Sequence, residues 1–345
     1  MAITQKQIAQ ELGVSHQLVS FALNGSGNVA EKTRQEIVTA AERLGYRRNE
    51  LARAMVTGKS STLGFLSYEI DESDHMMRVL AGAIDAANEH GYFIRAMHYS
   101  KLSDIRKVFE RCLEWKVAGL MVMNLMDEGI KCVEREANRF GIPVAFVDNQ
   151  PFSSADIWVR SDDYNGLRQV IEHLVALGHE KIAFFNGDAC SRLSNNRETH
   201  FRRLMDLAGL HVEEEWFVYG SWKGDTKKIE AAAQEFLALR PRPTAVVCTG
   251  DPFAMVILRA AQKAGLKLPE QLSVTGYANF FLSELANPAL TTVDQPFRVM
   301  GRTATENLIA LTTSDQTLPL DKDDQLLPTR LIVRDSTAPP ARADQ

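Results

Sequence analysis

TQKQIAQELGVSHQLVSFALN, residues 4–24, is the stretch whose spacing decides how the chain is read. Thr4 can cap a helix on which Ile8, Ala9 and Leu12 recur at the 3.6-residue period. Gly13 ends that helix, because the turn there favours positive φ. Ser15 caps a second helix with Val19, Ala22 and Leu23 on one face. Ala9 is small where two helices cross closely, and Val14 and Val19 fill the angle between them. A small residue, a glycine turn and a buried β-branched residue are the packing solution of a helix-turn-helix. Asn24-Gly25-Ser26-Gly27 reads as a loop, and a third helix follows over about residues 30–44, with Ile37, Val38, Ala41 and Leu44 facing inward.

The second helix leaves His16, Gln17, Ser20 and Phe21 pointing away from that core. The alternative is a solvated polar face with one stray aromatic, for which an exposed Phe beside His and Gln is awkward, whereas the major groove of DNA accepts all of them. Gln17 can pair with an adenine edge, and Phe21 can touch a thymine methyl. Charge agrees: residues 1–60 hold eight Lys/Arg against five Glu, while the remaining 285 residues hold 31 basic and 39 acidic side chains. A basic head on an acidic body predicts an anionic partner for the head alone.

The run from Ile8 to Gly25, followed by Val29-Ala-Glu-Lys-Thr-Arg and Leu44-Gly-Tyr-Arg-Arg-Asn-Glu-Leu-Ala-Arg-Ala-Met, closely resembles the headpiece of the lac repressor (LacI/GalR) family. The resemblance implies base reading by His16, Gln17 and Phe21, the last often basic in the family, and contacts to DNA from Thr4, Ser15, Ser20, Asn24 and Thr33. It also implies a hinge helix over residues 49–56, too short to hold alone and ordered only against DNA and a twin hinge. Arg53 would bind there, and Met55 would wedge into the minor groove.

Beyond residue 61 short apolar runs alternate with amphipathic ones. Strands are expected at 63–68, 93–98, 119–123, 144–147 and 157–159, with helices at 76–89, 104–115 and 129–140 between them. After Asp162-Asp163 a second series begins: helices 164–177, 195–208, 226–239 and 252–264, and strands 181–186, 216–219, 245–248 and 273–276. The final segments 291–295, 297–311 and 326–334 are too few for a third unit and should cross back between the two. This alternation predicts two doubly wound parallel-sheet subdomains. The fold expected overall is an all-α headpiece plus an α/β core.

Further pieces resemble the same family's periplasmic-binding-protein-like core: Val147-Asp-Asn, the run from His173 to Phe184, Arg197 before His200-Phe, Thr244-Ala-Val-Val, Gly265-Leu-Lys-Leu-Pro, Leu290-Thr-Thr-Val-Asp-Gln-Pro and Leu327-Pro-Thr-Arg-Leu-Ile-Val-Arg. The resemblance covers about residues 3–335. The boundaries expected are a headpiece at 1–48, a hinge and linker at 49–61, a core at 62–335 and a disordered tail at 336–345. Within the core, the first subdomain takes about 62–161 and 293–323, and the second about 162–290 and 324–335.

Open α/β sheets bind ligands at the carboxyl ends of their strands. The matching motifs put Tyr68, Asp148, Arg197, Trp222, Asp251, Tyr277 and Gln295 at that cleft, for a small-molecule effector such as a sugar or a derivative. Arg197 offers a planar donor fork and Trp222 a stacking face. Two positions depart from the sugar- and purine-responsive pattern. Ala278 follows Tyr277 where an Asp is usual, and Gly250 precedes Asp251 where an Asn is usual. Two polar anchors are lost.

Several classes are set aside. No G-x-S-x-G, H-E-x-x-H or P-loop is present, so no enzyme is expected, and neither a metal nor a cofactor. Gly25-Ser-Gly-Asn-Val-Ala30 fits a loose dinucleotide fingerprint but follows a helical run, where that unit needs a strand. Cys112, Cys132, Cys190 and Cys248 show no Cys-x-x-Cys spacing and read as reduced small hydrophobes. His179, after Gly178, is expected at a helix C-terminus as a favourable positive charge. With no signal-like start and no long apolar run, the chain is expected in the bacterial cytoplasm, on the nucleoid when bound, with no membrane partner. No leucine heptad of a tetramer-forming tail follows the core. The reading is a homodimeric regulator, a repressor, on a palindromic double-stranded operator. The competing reading is a small-molecule receptor without a DNA role.

Overall fold

Gln7 and Thr4 start the first helix by exchanging hydrogen bonds: the Gln7 amide donates to Thr4 Oγ1, and the Thr4 amide donates to Gln7 Oε1 at 2.8 Å. In the computed structural model, residues 3–24, 27–46, 60–68, 74–123, 125, 127–148, 157–187, 192–220, 226–313 and 324–341 are described. They fall into two compact units, within residues 1–60 and 61–345.

In the first unit the helices are α1 (Gln5–Leu12), α2 (His16–Asn24) and α3 (Glu31–Arg43). Gly13 takes φ 63°, as the turn requires, and Ser15 Oγ accepts the Leu18 amide at 3.1 Å to start α2. Ile8, Ala9, Val19, Ala22, Ile37, Ala40 and Ala41 form the buried core. Val14 and Leu44 pack at its edge, as does Leu23. Arg34 on α3 donates to the Ala22 carbonyl at 3.0 Å, satisfying a carbonyl in the last turn of α2.

The second unit holds two six-stranded sheets. Strands β1 (Thr62–Tyr68), β2 (Phe93–Tyr99), β3 (Gly119–Met123), β4 (Val144–Val147) and β5 (Ile157–Ser161) belong to the first. Strands β6 (Ile182–Asn186), β7 (Phe217–Tyr219), β8 (Ala245–Cys248), β9 (Ser273–Tyr277) and β10 (Thr291–Asp294) belong to the second. Strand β11 (Asp324–Leu327) completes the first sheet, ordered β11-β5-β4-β3-β1-β2, and β12 (Arg330–Ile332) completes the second, ordered β12-β10-β9-β8-β6-β7. All pairs are parallel except β10 with β12. Helices cover the faces: α4 (Asp74–Glu89), α5 (Ile105–Glu114), α6 (Asp127–Phe140) and α12 (Phe297–Thr312) around the first sheet. Around the second lie α7 (Asp163–Ala176), α8 (Arg192–Leu207), α9 (Thr226–Ala238) and α10 (Asp251–Lys263). The short α11 (Phe281–Leu285) follows β9. Sheets buried on both faces explain the near-continuous apolar strands such as Leu120-Met-Val-Met123.

Three details differ from the sequence reading. The last crossing falls later than residue 324: Asp324–Leu327 pairs in parallel with β5, and the expected single segment 326–334 is divided. Pro328 has no amide to donate, so the ladder breaks there and Arg330–Ile332 joins β10 instead. Residues 291–294 lie wholly in the second sheet, so the return to the first subdomain begins after β10. The tail, expected to be disordered from 336, is fastened through residue 341. Ser336 is fully buried, its carbonyl accepts the Val274 amide at 2.9 Å, and its Oγ accepts the Thr291 amide at 2.8 Å. Ala341 N donates to the Glu270 carbonyl at 3.0 Å.

His179 explains part of that fastening. Its ring is buried between Thr244 Oγ1 at 2.8 Å and the Ala338 carbonyl at 2.9 Å, and Nε2 also lies 3.0 Å from Ser273 Oγ. Burial lowers its pKa, so it is not the helix-end cation expected from its place after Gly178.

Candidate nucleic-acid interface and ligand cleft

On α2, Val19 and Ala22 are buried while His16, Gln17 and Phe21 are exposed and Ser20 is partly buried. Residues spaced by one, four and five share one side of a helix, so this outer edge is a single surface. Phe21 is 37% exposed, so part of its ring faces outward on this edge. Gly27, at φ 73°, lies under that ring: a Cβ there would come 2.9 Å from Phe21 Cγ and Cδ2. Glycine therefore lets the loop after α2 approach the ring and set its direction. Ser15 Oγ and the Thr4 hydroxyl are engaged in helix caps, and Thr33 is partly buried in the first turn of α3. Asn24 ends α2, and its side chain lies outside the described residues, as do Arg53, Met55 and the expected hinge. Helix, not strand, precedes Gly25, which removes the dinucleotide reading.

In the second unit the carboxyl ends of the two sheets meet. Ser161 ends β5 of the first sheet, and Gln295, just after β10 of the second, donates from Nε2 to Ser161 Oγ at 2.6 Å. Asp163, in the first turn of α7, is buried and collects three partners. Its Oδ1 accepts Ser161 Oγ at 3.3 Å, Tyr277 OH at 2.9 Å and Arg197 Nη2 at 3.1 Å, and its Oδ2 accepts Arg197 Nε at 3.2 Å. Arg197 Nη1 donates to the Thr249 carbonyl at 2.8 Å, and its guanidinium carbon stands 4.3 Å from the Tyr277 ring centre. Thr249 Oγ1 continues the network to Asn186 Oδ1 at 2.9 Å.

Asp148 closes this group from the first subdomain, one residue after β4, at φ 54°. Burial pushes its pKa up to about 7, with Arg197 opposing, Asp163 adding to the rise and Arg160 opposing. Burial works against the Arg197 charge, yet Asp163, Tyr277 and Asp148 hold its pKa above the usual value. The structure thus brings Asp148, Arg197, Tyr277 and Gln295 together. It gives the centre to Asp163, which the sequence showed only as part of a boundary doublet. An acid opening the helix two residues after β5, 34 positions before the matched Arg197, was the available signal.

Asp251 is placed differently. Its Oδ1 accepts Thr292 Oγ1 at 2.6 Å, and its Oδ2 accepts Ser283 Oγ at 2.7 Å and the Phe280 amide at 2.6 Å. Oδ2 holds the segment after β9, in which Ala278 (φ 110°) and Asn279 (φ 49°) adopt left-handed conformations, and Oδ1 ties it to β10. Tyr68 ends β1, two strands from β4, edge-on to Tyr99 with ring centres 5.3 Å apart. Trp222 lies outside the described residues. Among the described residues no group of His, Cys, Asp and Glu could hold a metal, and no helix is long and apolar enough to cross a membrane.

Comparison with known proteins agrees with both units. Residues 4–49 match bacterial regulatory proteins of the lacI family, and residues 171–337 match a periplasmic binding protein-like domain. The HTH-type transcriptional repressor PurR of Vibrio campbellii is 30% identical over 311 residues, 89% of this chain and 91% of that protein. The HTH-type transcriptional regulator DegA of Bacillus subtilis is 30% identical over 345 residues, 98% of this chain and 99% of that one. A lac repressor dimer bound to operator and the anti-inducer ONPF aligns with a TM-score of 0.81 at 26% identity, over 98% of this chain and 100% of that one.

Proposed function

The chain belongs to the lacI family of bacterial regulatory proteins, and from that membership we propose how its own residues carry out repression. It is a DNA-binding transcriptional regulator with a core that binds a small-molecule effector, and it is not an enzyme. In the proposed reading it acts in the cytoplasm as a homodimer. Two headpieces, residues 1–48, read an inverted repeat through successive major grooves. His16, Gln17 and Phe21 meet base edges. Thr4, Ser15, Ser20, Asn24 and Thr33 position the module, and a hinge at 49–61 brings Arg53 to the backbone and Met55 to the minor groove.

The observation that carries this reading is the exposed edge of α2, where His16, Gln17 and Phe21 stand clear of a core that buries Val19 and Ala22. The effector enters between the subdomains, where Asp148 of one faces Arg197 and Tyr277 of the other, beside Gln295 and with Asp251 holding the adjoining segment; Tyr68 and Trp222 are assigned to it from the family resemblance alone. Binding there changes the separation of the hinges, and it shifts DNA affinity only as far as the effector prefers one arrangement over the other. Tyr277-Ala278 and Gly250 leave this cleft without two polar anchors.

Gel shifts of the full chain on genomic fragments, repeated at rising salt, test the reading. A minority of fragments should be retained at salt that releases the rest, because backbone contacts weaken with salt for every sequence alike. Equally weak binding to every fragment would overturn it.

A further inference from the structure

The arginine of the cleft is already paired. Arg197 presents Nε and Nη2 to the two oxygens of Asp163 at 3.2 and 3.1 Å, the side-by-side geometry in which a guanidinium takes a carboxylate or phosphate. Its Nη1 is bonded to the Thr249 carbonyl at 2.8 Å, and the Tyr277 ring covers one face. The Asp163 carboxylate is held in turn by Tyr277 OH and Ser161 Oγ, and both members of the pair are buried. An incoming anion could take the fork only by leaving Asp163 as a buried charge without its partner.

Arg197 and Arg160 both act on Asp148, and Asp163 acts on both Asp148 and Arg197, so the Arg197 charge is already answered by acids of this chain. The positions that elsewhere carry polar anchors are Ala278 and Gly250, and both Asp251 oxygens are bonded within the chain. We infer that Asp163 is an internal counter-ion that determines effector specificity: it withholds Arg197 from ligands, so that this chain excludes carboxylate- and phosphate-bearing effectors and takes an uncharged one. The inference rests on the effector cleft proposed above. Asp163 acts through Arg197 and is a positioning residue.

The test is calorimetric titration of the full chain and its Asp163→Asn variant with inorganic phosphate and with acetate. The variant keeps the shape of the side chain and removes its charge. It is expected to bind at least one of the two anions about tenfold more tightly than the unaltered chain, because a released guanidinium fork recovers its own anion geometry. The gain should vanish in Asp163→Asn/Arg197→Gln, which separates it from anion binding elsewhere. A folded Asp163→Asn chain with unchanged anion affinity overturns the inference. If that variant does not fold, hydrogen exchange of the unaltered chain decides: exchange over residues 163–176 and 192–207 should be unchanged by phosphate or acetate, and slowing there would overturn it. Neither readout involves DNA, so failure here and failure of the regulator reading show in different experiments.

Discussion

Tyr277 donates its hydroxyl hydrogen to Asp163 at 2.9 Å across a gap that exists because residue 166 has no side chain. A Cβ on Gly166 would stand 2.4 Å from the Tyr277 oxygen and 3.1 Å from Thr329 Oγ1. The Tyr277 ring is buried and packed over Arg197, so it has little room to retreat.

Gly166→Ala should therefore destabilise the core by about 1–3 kcal/mol, as overpacking does in well-filled interiors. Tyr277→Phe removes the oxygen that the new methyl strikes, so the double variant should cost less than the sum of the single ones. Urea denaturation of the four chains measures both effects, and strictly additive costs would refute the steric account.

Asp148 gives the core a pH dependence of definite sign. Its pKa is raised to about 7, whereas an unfolded Asp titrates near about 3.9. Between those values the folded chain keeps a proton that the unfolded chain has released, so stability falls as pH rises through the window and levels off above it. The contribution from this residue approaches about 1.4 kcal/mol per pH unit within the window. Asp148→Asn, which tolerates the same left-handed backbone, should flatten that slope and be the more stable chain above neutral pH. Denaturation midpoints between about pH 5 and pH 8 check this, and an unchanged slope would count against it.

Phe21 and Gly27 make a second pair whose separation is set by a missing side chain. Phe21→Ala should relax base preference at one operator position by about 1–3 kcal/mol, while Arg53→Ala should weaken all sequences alike. Gly27→Ala pushes on the ring without removing it and is expected to alter preference at the same position as Phe21→Ala. Competition binding with single-base operator variants reads this out. Equal effects of Phe21→Ala on every sequence would remove the residue from base reading.

Removal of residues 336–345 should destabilise the second sheet. Ser336 satisfies the buried Val274 and Thr291 amides, and each unpaired donor costs about 1–3 kcal/mol. Ser336→Ala removes the two side-chain bonds, from the Thr291 amide and to the Val274 carbonyl, but keeps the backbone bond to the Val274 amide, and should lose part of that stability. A truncated chain with the melting behaviour of the full one would show that the tail contributes nothing.

Much of this architecture was legible because its signals are local. Capping residues, the glycine turn and the 3.6-residue period gave α1 to α3, and short apolar runs gave strands β1 to β10 to within one or two residues. The failures concern pairing at a distance. Within Leu326 to Arg334, Pro328 marks a break, but which sheet each half joins is decided only by the partners β5 and β10. Ser336 and His179 look polar and exposed in sequence, and are buried because each meets groups more than 60 positions away. In the cleft, Arg197 and Tyr277 were recognisable by type and position. Asp163 was not, because its role follows from three partners that only the fold assembles.

The central claim is that the outer edge of α2, doubled by a twin chain, reads an inverted repeat. Selection of duplexes from a random pool by the full chain tests it most directly, with the His16→Ala/Gln17→Ala/Phe21→Ala chain run in parallel. The account predicts enrichment of two inverted half-sites whose centres lie about one helical turn apart, roughly 10 base pairs, and loss of that enrichment in the triple variant. A pool that stays random, or the same enriched sequence from the triple variant, would contradict it.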